Sequence, residues 1–178
     1  MNAQHSALAD DWGTPPDVLE LVRILFGGSI DLDPASNAEA QKSVKARWFY
    51  TEQDDALSDE PWEEGSCFLN PPGGKIKNRS KPGLFWERLL KHRASGTLSH
   101  AVFLAFSCES LQNTQGKYGP SLMDFPICVP AKRLRFVPRS GQKARSPTHA
   151  NVLVYVPGYL DKRDDFARIF SVLGAVKL

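Results

Sequence analysis

The run from His100 to Phe106 is the most apolar segment of the chain, and it sets the strongest limit on the fold. Its letters, HAVFLAF, have the length of a single strand, and a nearly continuous apolar run is typical of a strand covered on both faces. Such a strand must lie between two layers of other elements. The sequence therefore predicts a layered sheet with this strand near its centre.

Predicted helices and strands alternate along the first hundred residues. Thr14-Pro15-Pro16-Asp17 predicts a helix start with Thr14 as the cap, followed by an apolar stripe that ends at Gly27-Gly28. Further helices are predicted over 37–45, 84–93 and 161–173, and a helix or a turn over 108–115. Strands are predicted over 30–33, 47–51, 66–69, 127–129, 134–137 and 152–156, with a loop over 73–83. This order predicts an α/β fold with a mostly parallel sheet and an antiparallel hairpin at one edge.

Length and composition indicate one intracellular domain. The chain has 178 residues, so we expect a flexible segment over 1–10 and a single domain over 11–178. No apolar run approaches the roughly 18 residues of a membrane span, and the first residues do not resemble a signal peptide. Cys67, Cys108 and Cys128 are far apart, which favours buried thiols in a reducing cytoplasm over a disulfide framework or a metal site.

Charge is divided unevenly along the chain. Residues 1–64 hold fourteen acids and four bases, whereas residues 65–178 hold six acids and eighteen bases. The most basic stretches are 75–93 and 132–145. A polyanion such as nucleic acid is the partner that this pattern favours, and solvated surface charge is the alternative.

Asn70-Pro71-Pro72 follows the predicted strand Ser66–Leu69 directly. Ligands of open α/β sheets bind outside the carboxyl ends of the strands. Two prolines remove two backbone donors and leave carbonyl acceptors, and the Asn70 side chain adds another. Two acceptors suit a neutral amino group whose lone pair attacks an electrophilic carbon, such as the methyl group of S-adenosylmethionine. The alternative is a Pro-Pro turn that only ends the strand.

Several further motifs occur together in one order over roughly residues 10–157. They are Asp11-Trp12-x-Thr14-Pro15, Asp31-Leu32-Asp33-Pro34-Ala35-Ser36, Asp54-Asp55-Ala56-Leu57 with Trp62, Phe68-Leu69-Asn70-Pro71-Pro72, Phe85-Trp86, Cys128-Val129-Pro130 to Arg135-Phe136, and Ser146-Pro147. In these motifs the chain resembles the phage-type, Dam-like DNA N6-adenine methyltransferases. The resemblance implies a Rossmann-like, S-adenosylmethionine-dependent fold that methylates adenine in double-stranded DNA after the base is flipped out.

The resemblance also implies roles for particular residues. Asn70, Pro71 and Pro72 would be catalytic. Asp33-Pro34-Ala35 would take the place of a glycine-rich cofactor loop, since the chain has no GxGxxG motif, and Asp31 or Asp33 would hold the cofactor's ammonium group or ribose. The other implied cofactor contacts are Trp12, Thr14 and Pro15, which would close over the cofactor, and Asp54 or Asp55, which would accept from its adenine amine.

The substrate side departs from related amino-methyltransferases at Gly73, where an aromatic residue usually stacks on the flipped base. Phe85 and Trp86 are the predicted substitutes, with Trp86 nearer the site and Phe85 in the core. Gly73 and Gly74 would allow close backbone approach to the base or a phosphate. Basic residues of the two loops would contact DNA, namely Lys75, Arg139, Lys143 and Arg145, with Lys77 and Arg79 beside them.

Other functions remain open on these residues. The same mechanism would serve cytosine N4, an RNA base or a glutamine amide, and Gly73 also fits a non-catalytic DNA-binding relative of the fold. We expect a monomer without a metal, located in the cytoplasm of a bacterium or a phage-infected host. The recognition sequence does not follow from the loops.

Overall fold

The computed structural model describes residues 12–138 and 149–178, which form eleven strands and five α-helices. The helices are α1 (Pro16–Phe26), α2 (Ala38–Val44), α3 (Lys81–Ala94), α4 (Glu109–Asn113) and α5 (Arg163–Phe170). The strands are β1 (Trp12–Gly13), β2 (Leu32–Asp33), β3 (Trp48–Phe49), β4 (Gly65–Leu69), β5 (Lys75–Ile76), β6 (Arg79–Ser80), β7 (Leu98–Ala105), β8 (Ile127–Pro130), β9 (Val137–Pro138), β10 (Val152–Pro157) and β11 (Gly174–Lys177). None of the helices in these two ranges is long and apolar enough to cross a membrane.

Seven of the strands form one sheet in the order β11-β8-β10-β7-β4-β2-β3. The pairings from β3 through β2 and β4 to β7 are parallel, and those from β7 through β10 and β8 to β11 are antiparallel. Five strands therefore run in one direction, which confirms a mixed α/β fold with a mostly parallel sheet. The antiparallel part is larger than the predicted edge hairpin, because the closing helix ends at Phe170 and β11 adds an edge strand.

The central strand β7 is buried along its whole length, as its apolar sequence predicts. On one face Phe103 packs with Trp86 and Leu89 of α3. On the other face Val102 and Leu104 belong to a second cluster that includes α1 and α5. Two helical layers therefore enclose the sheet, and the strand ends emerge between them.

Three local predictions are corrected by the structure. Thr14 does not cap α1, because the cap position is Pro15 and no side-chain cap bond forms there. Residues 134–136 are not in a strand, and β9 pairs with β1 rather than with β10. The predicted loop over 73–83 contains the hairpin β5–β6, and α3 begins at Lys81 rather than Leu84.

Four buried titratable side chains, two cysteines and two histidines, are held in their neutral forms. Burial raises the pKa of the Cys128 thiol to about 11 and that of Cys67 well above its usual value. Burial also lowers the pKa of His92 and of His100 to about 4. These groups are thus uncharged near neutral pH, and Cys108 is only half-buried.

Candidate active site

The sheet reverses its strand order between β2 and β4. From β2 the chain continues to β3 on one side, and it then returns to form β4 on the other side of β2. Asp33 ends β2 and Asn70 directly follows β4, and these two strands run parallel. In open α/β sheets the crevice outside such a reversal point is the usual ligand site. The structure therefore brings Asp33 and Asn70 to the same edge of the sheet, as expected.

A cavity of about 670 Å³ lies at this edge. Ten of the residues singled out in the sequence line it, namely Thr14, Asp33, Pro34, Ala35, Asp55, Asn70, Pro71, Pro72, Gly73 and Phe85. Its volume lies within the roughly 300–1,000 Å³ that is typical of small-molecule and cofactor sites. These residues come from separate segments of the chain, so only the fold brings them together.

The Asn70 amide has a defined orientation. Its Nδ2 donates to Thr14 Oγ1 at 3.1 Å, and Thr14 is 4% exposed at the end of the short β1–β9 pairing. No hydrogen bond from a described residue occupies Asn70 Oδ1. Pro71 is buried, and neither it nor Pro72 has a backbone N–H to donate. The segment therefore presents a carbonyl oxygen at a fixed position on the cavity wall.

Asp33 is a buried carboxylate, 3% exposed, at the base of the loop that follows β2. It accepts hydrogen bonds from Gln41 Nε2 at 2.9 Å and from the Ala35 backbone N–H at 3.3 Å. Gln41 Nε2 also donates to Ser36 Oγ at 2.8 Å. These bonds hold the loop over 33–36 against α2 and fix the Asp33 carboxyl group beside the cavity.

Two of the acids proposed as cofactor contacts do not line the cavity. Asp31 lies before β2 rather than after it, where it accepts from the Ser66 backbone N–H and hydroxyl and pairs with Arg47. Asp54 accepts from the Thr51 N–H and hydroxyl, both at 2.7 Å, and these bonds lower its pKa. Of the adjacent acids, only Asp55 borders the cavity. Other residues hold both carboxylates away from the cavity lining, and the cofactor contacts of Asp31 and Asp54 stay predictions.

Of the two aromatic residues on α3, Phe85 lies in the core as expected, and the expected position of Trp86 is corrected. Trp86 is fully buried, donates from Nε1 to the Pro120 carbonyl at 2.8 Å, and packs edge-on against Phe103 and Phe125. Phe85 is 7% exposed and lines the cavity. Trp86 is therefore a core residue, and the prediction that it lies at the site is wrong.

Other cavity residues were missed in the sequence, and Phe106 is the most prominent. It directly follows β7, the neighbour of β4, and is 41% exposed. Its ring lies 4.7 Å from His149 and 6.2 Å from Phe136, measured between centroids. Phe106 follows the end of β7 just as Asn70 follows the end of β4. Because β4 and β7 are adjacent and parallel, both residues lie at the same edge of the sheet. Tyr50, Ile76, Lys81 and Phe136 line the cavity as well.

A family model described as DNA N-6-adenine-methyltransferase (Dam) matches residues 2–118. The chain belongs to this family. The match covers more than half of the 178 residues and includes both Asp33 and Asn70. Comparison with curated proteins and with solved structures finds no match. Membership confirms the resemblance found in the sequence and makes adenine methylation in DNA the general activity of this Dam-family chain.

The lining of the cavity is more acidic than basic in this Dam-family protein. Asp33, Glu52 and Asp55 contribute carboxylates, and Lys81 is the basic residue among the described lining residues. Such a charge balance favours a ligand that carries positive charge. Tyr50 lines the same wall, and burial raises the pKa of its phenol, which stays protonated as a donor.

Basic residues lie on the β5–β6 hairpin, whose Ile76 lines the cavity. Lys75, Lys77 and Arg79 lie exposed on the β5–β6 hairpin, and Arg79 pairs with Glu87 at 2.8 Å. Gly73 lines the cavity, while Gly74 is exposed with φ +92°. The proposed contacts Arg139, Lys143 and Arg145, the Ser146-Pro147 motif and the side chain of Trp12 lie outside the described residues.

Proposed function

We propose that this chain transfers the methyl group of S-adenosylmethionine to the N6 amine of adenine in DNA, as a monomer with a single Rossmann-like methyltransferase domain. The observation that carries the proposal is the oriented Asn70 amide at the strand-order reversal, on the wall of a cavity of about 670 Å³. Family membership supports the reaction class. The lining of the cavity supports the choice of residues that would perform the reaction.

Asn70-Pro71-Pro72 would act as the acceptor of the adenine amine. Asn70 Oδ1 and a backbone carbonyl of the motif would take the two N–H hydrogens, which concentrates the nitrogen lone pair on the side away from the ring. The gain is electrostatic and positional, because an amide is not a base that removes a proton. The proton that nitrogen loses therefore leaves to solvent after transfer. No histidine is required, in keeping with the neutral, buried His92 and His100.

The remaining cavity residues fit S-adenosylmethionine. The group carries positive charge at its sulfonium and ammonium and has ribose hydroxyls that favour a carboxylate acceptor. Asp33, with Pro34 and Ala35, would bind the ammonium group or the ribose of the cofactor. Asp55 would accept a hydrogen bond from the amine of the cofactor's own adenine. Thr14 lines the same cavity, whereas Pro15 is the cap residue of α1 and is not among the lining residues. When bound, the cofactor supplies the electrophilic methyl carbon.

Adenine would have to leave the DNA stack to reach Asn70. A base inside the duplex cannot enter a pocket at the end of a sheet, and an extruded base needs a new stacking partner. Phe106 presents a half-exposed ring at the cavity, and the buried Phe85 also lines it. We assign the stacking role to Phe106, which supplies the aromatic surface that Gly73 lacks.

Thr14 would orient the catalytic amide, and its removal should slow turnover. Thr14→Val keeps the volume but removes the acceptor of Asn70 Nδ2. A hydrogen bond is worth about 0.5–1.5 kcal/mol net, so we expect turnover to fall by up to about tenfold. Thr14→Ser should retain it. Calorimetry with S-adenosylmethionine should give an unchanged affinity, whereas a weakened affinity with normal turnover would assign Thr14 to the cofactor instead.

The hairpin cations would bind the DNA backbone. A double variant, Lys75→Ala with Lys77→Gly, removes two charges, and glycine tolerates the left-handed conformation of Lys77, whose φ is +46°. The slope of log affinity against log salt should fall by about 0.9 for each phosphate that is no longer neutralised. Lys91→Ala, at an exposed position of α3, is the control and should leave the slope unchanged. Equal slopes for all three proteins would place the DNA surface elsewhere.

Sequencing of modified bases in DNA from cells that express the protein tests the function itself. N6-methyladenine in one sequence context is the expected result, and it would also give the recognition sequence. N4-methylcytosine, or labelled methyl groups only in RNA or protein, would change the acceptor. Cofactor binding without transfer to any of these would instead indicate a non-catalytic DNA-binding relative.

A further inference from the structure

The β5–β6 hairpin is a two-residue turn with an unusual backbone. Ile76 pairs with Arg79, and the intervening Lys77 and Asn78 have φ of +46° and +65°. Positive φ at both central residues is the geometry of a type I′ turn, which closes a tight hairpin with the twist of its strands. This conformation is sterically unfavourable for lysine. The chain thus maintains a tight, solvent-exposed tip at this position.

The tip combines an apolar side chain with positive charge. Ile76 is 40% exposed and also borders the cavity, so it lies at the mouth between the cavity and solvent. Lys75 and Lys77 flank it along the chain and are exposed. If Lys75 and Lys77 bind phosphates of DNA, the apolar side chain between them would contact the stacked bases.

The base of the hairpin is anchored. The Ser80 backbone N–H donates to the Tyr118 hydroxyl at 3.2 Å, and the Arg79 guanidinium lies over the Tyr118 ring at 5.2 Å. The Lys81 backbone N–H donates to the Gly74 carbonyl at 3.0 Å. These contacts hold the hairpin against Tyr118 and the start of α3, so Ile76 keeps a constant position relative to the cavity.

We propose that Ile76 is a wedge that enters the DNA stack and fills the gap left by the extruded adenine. This inference rests on the proposed function. Apolar side chains inserted between base steps offset part of the cost of unstacking. Ile76 lies at the cavity mouth, and a gap in the DNA stack would form there when a base enters the cavity. The wedge would assist only the extrusion of the adenine from the duplex. It would not affect methyl transfer to a base that is already outside the stack.

Single-turnover methylation of two duplexes tests the wedge. One is the fully paired recognition sequence, and the other carries an abasic site opposite the target adenine, which lowers the cost of extrusion. Ile76→Ala should be slower than the unmodified protein by about tenfold or more on the paired duplex, and within about twofold of it on the abasic duplex. Ile76→Leu should keep both rates. Ile24→Ala removes an isoleucine that is 54% exposed on α1 and is the matched control.

Two results would overturn the wedge. An unchanged rate of Ile76→Ala on the paired duplex would show that no insertion is needed. Equal slowing on both duplexes would place Ile76 in contact with the base or the cofactor rather than in the stack. The unmodified protein separates these results from failure of the proposed function, since that failure would leave it inactive on both duplexes.

Discussion

Asn70→Ala is expected to lower the methylation rate by at least about 100-fold, the loss seen when one preorganised hydrogen-bonding group is removed from a transition state. The variant deletes the oriented carbonyl oxygen and leaves Thr14 Oγ1 without its donor. Because the amide acts on the amine rather than on the cofactor, affinity for S-adenosylmethionine should change little. Single-turnover transfer of labelled methyl and calorimetry measure the two quantities separately.

Matched variants make this result specific to the acceptor. Asn70→Asp retains acceptor oxygens, and the Thr14 hydroxyl can donate to them, so it should keep more activity than the alanine variant. Asn113→Ala makes the same chemical change at an exposed position on α4, outside the cavity lining, and should be as active as the unmodified protein. If Asn70→Ala retained most of its turnover, the amine-acceptor role would be abandoned.

Trp86→Ala should destabilise the fold by about 3–5 kcal/mol, the usual cost of truncating a large buried aromatic side chain. The indole is fully buried, its ring packs against Phe103 and Phe125 at centroid distances of 5.2 and 5.3 Å, and its N–H is bonded to Pro120. The fall in Tm should be on the order of 10 °C for a domain of this size. Thermal unfolding and chemical denaturation measure the effect.

Trp48→Ala is the control for the size of the side chain. Trp48 is 51% exposed on the edge strand β3, so its loss should cost well under half as much as that of Trp86. A Trp86→Ala protein with normal stability and slow methylation would contradict the core assignment and return this residue to the site.

Features that depend on local pattern could be predicted from the order of residues. The apolar run that begins at His100 became the fully buried centre of β7. The predicted helix near Asn37 exists as α2, with Asn37 accepting from the Ala40 backbone N–H as its cap. Asn70 could be placed at a strand end because it follows a short apolar strand, and Asp33 because it ends a short run of alternating apolar and acidic residues. Strand ends are where parallel sheets bind ligands.

Adjacent candidates could not be separated from the sequence. Phe85 and Trp86 differ in direction by about 100° on a helix, and either direction is apolar enough to face the core. The packing of α3 on Phe103 distinguished them. Asp54 is kept from the cavity by its bonds to Thr51, whereas its neighbour Asp55 borders it.

Contacts between distant residues required the complete fold. Thr14 lies 56 positions before Asn70, and only the β1–β9 pairing and the end of β4 bring the two together. Phe106 lines the same cavity as Asn70 because β7 pairs with β4, a pairing that the strand sequences do not contain. Local periodicity reports which face of an element is buried, whereas the order of strands depends on how whole elements pack against one another.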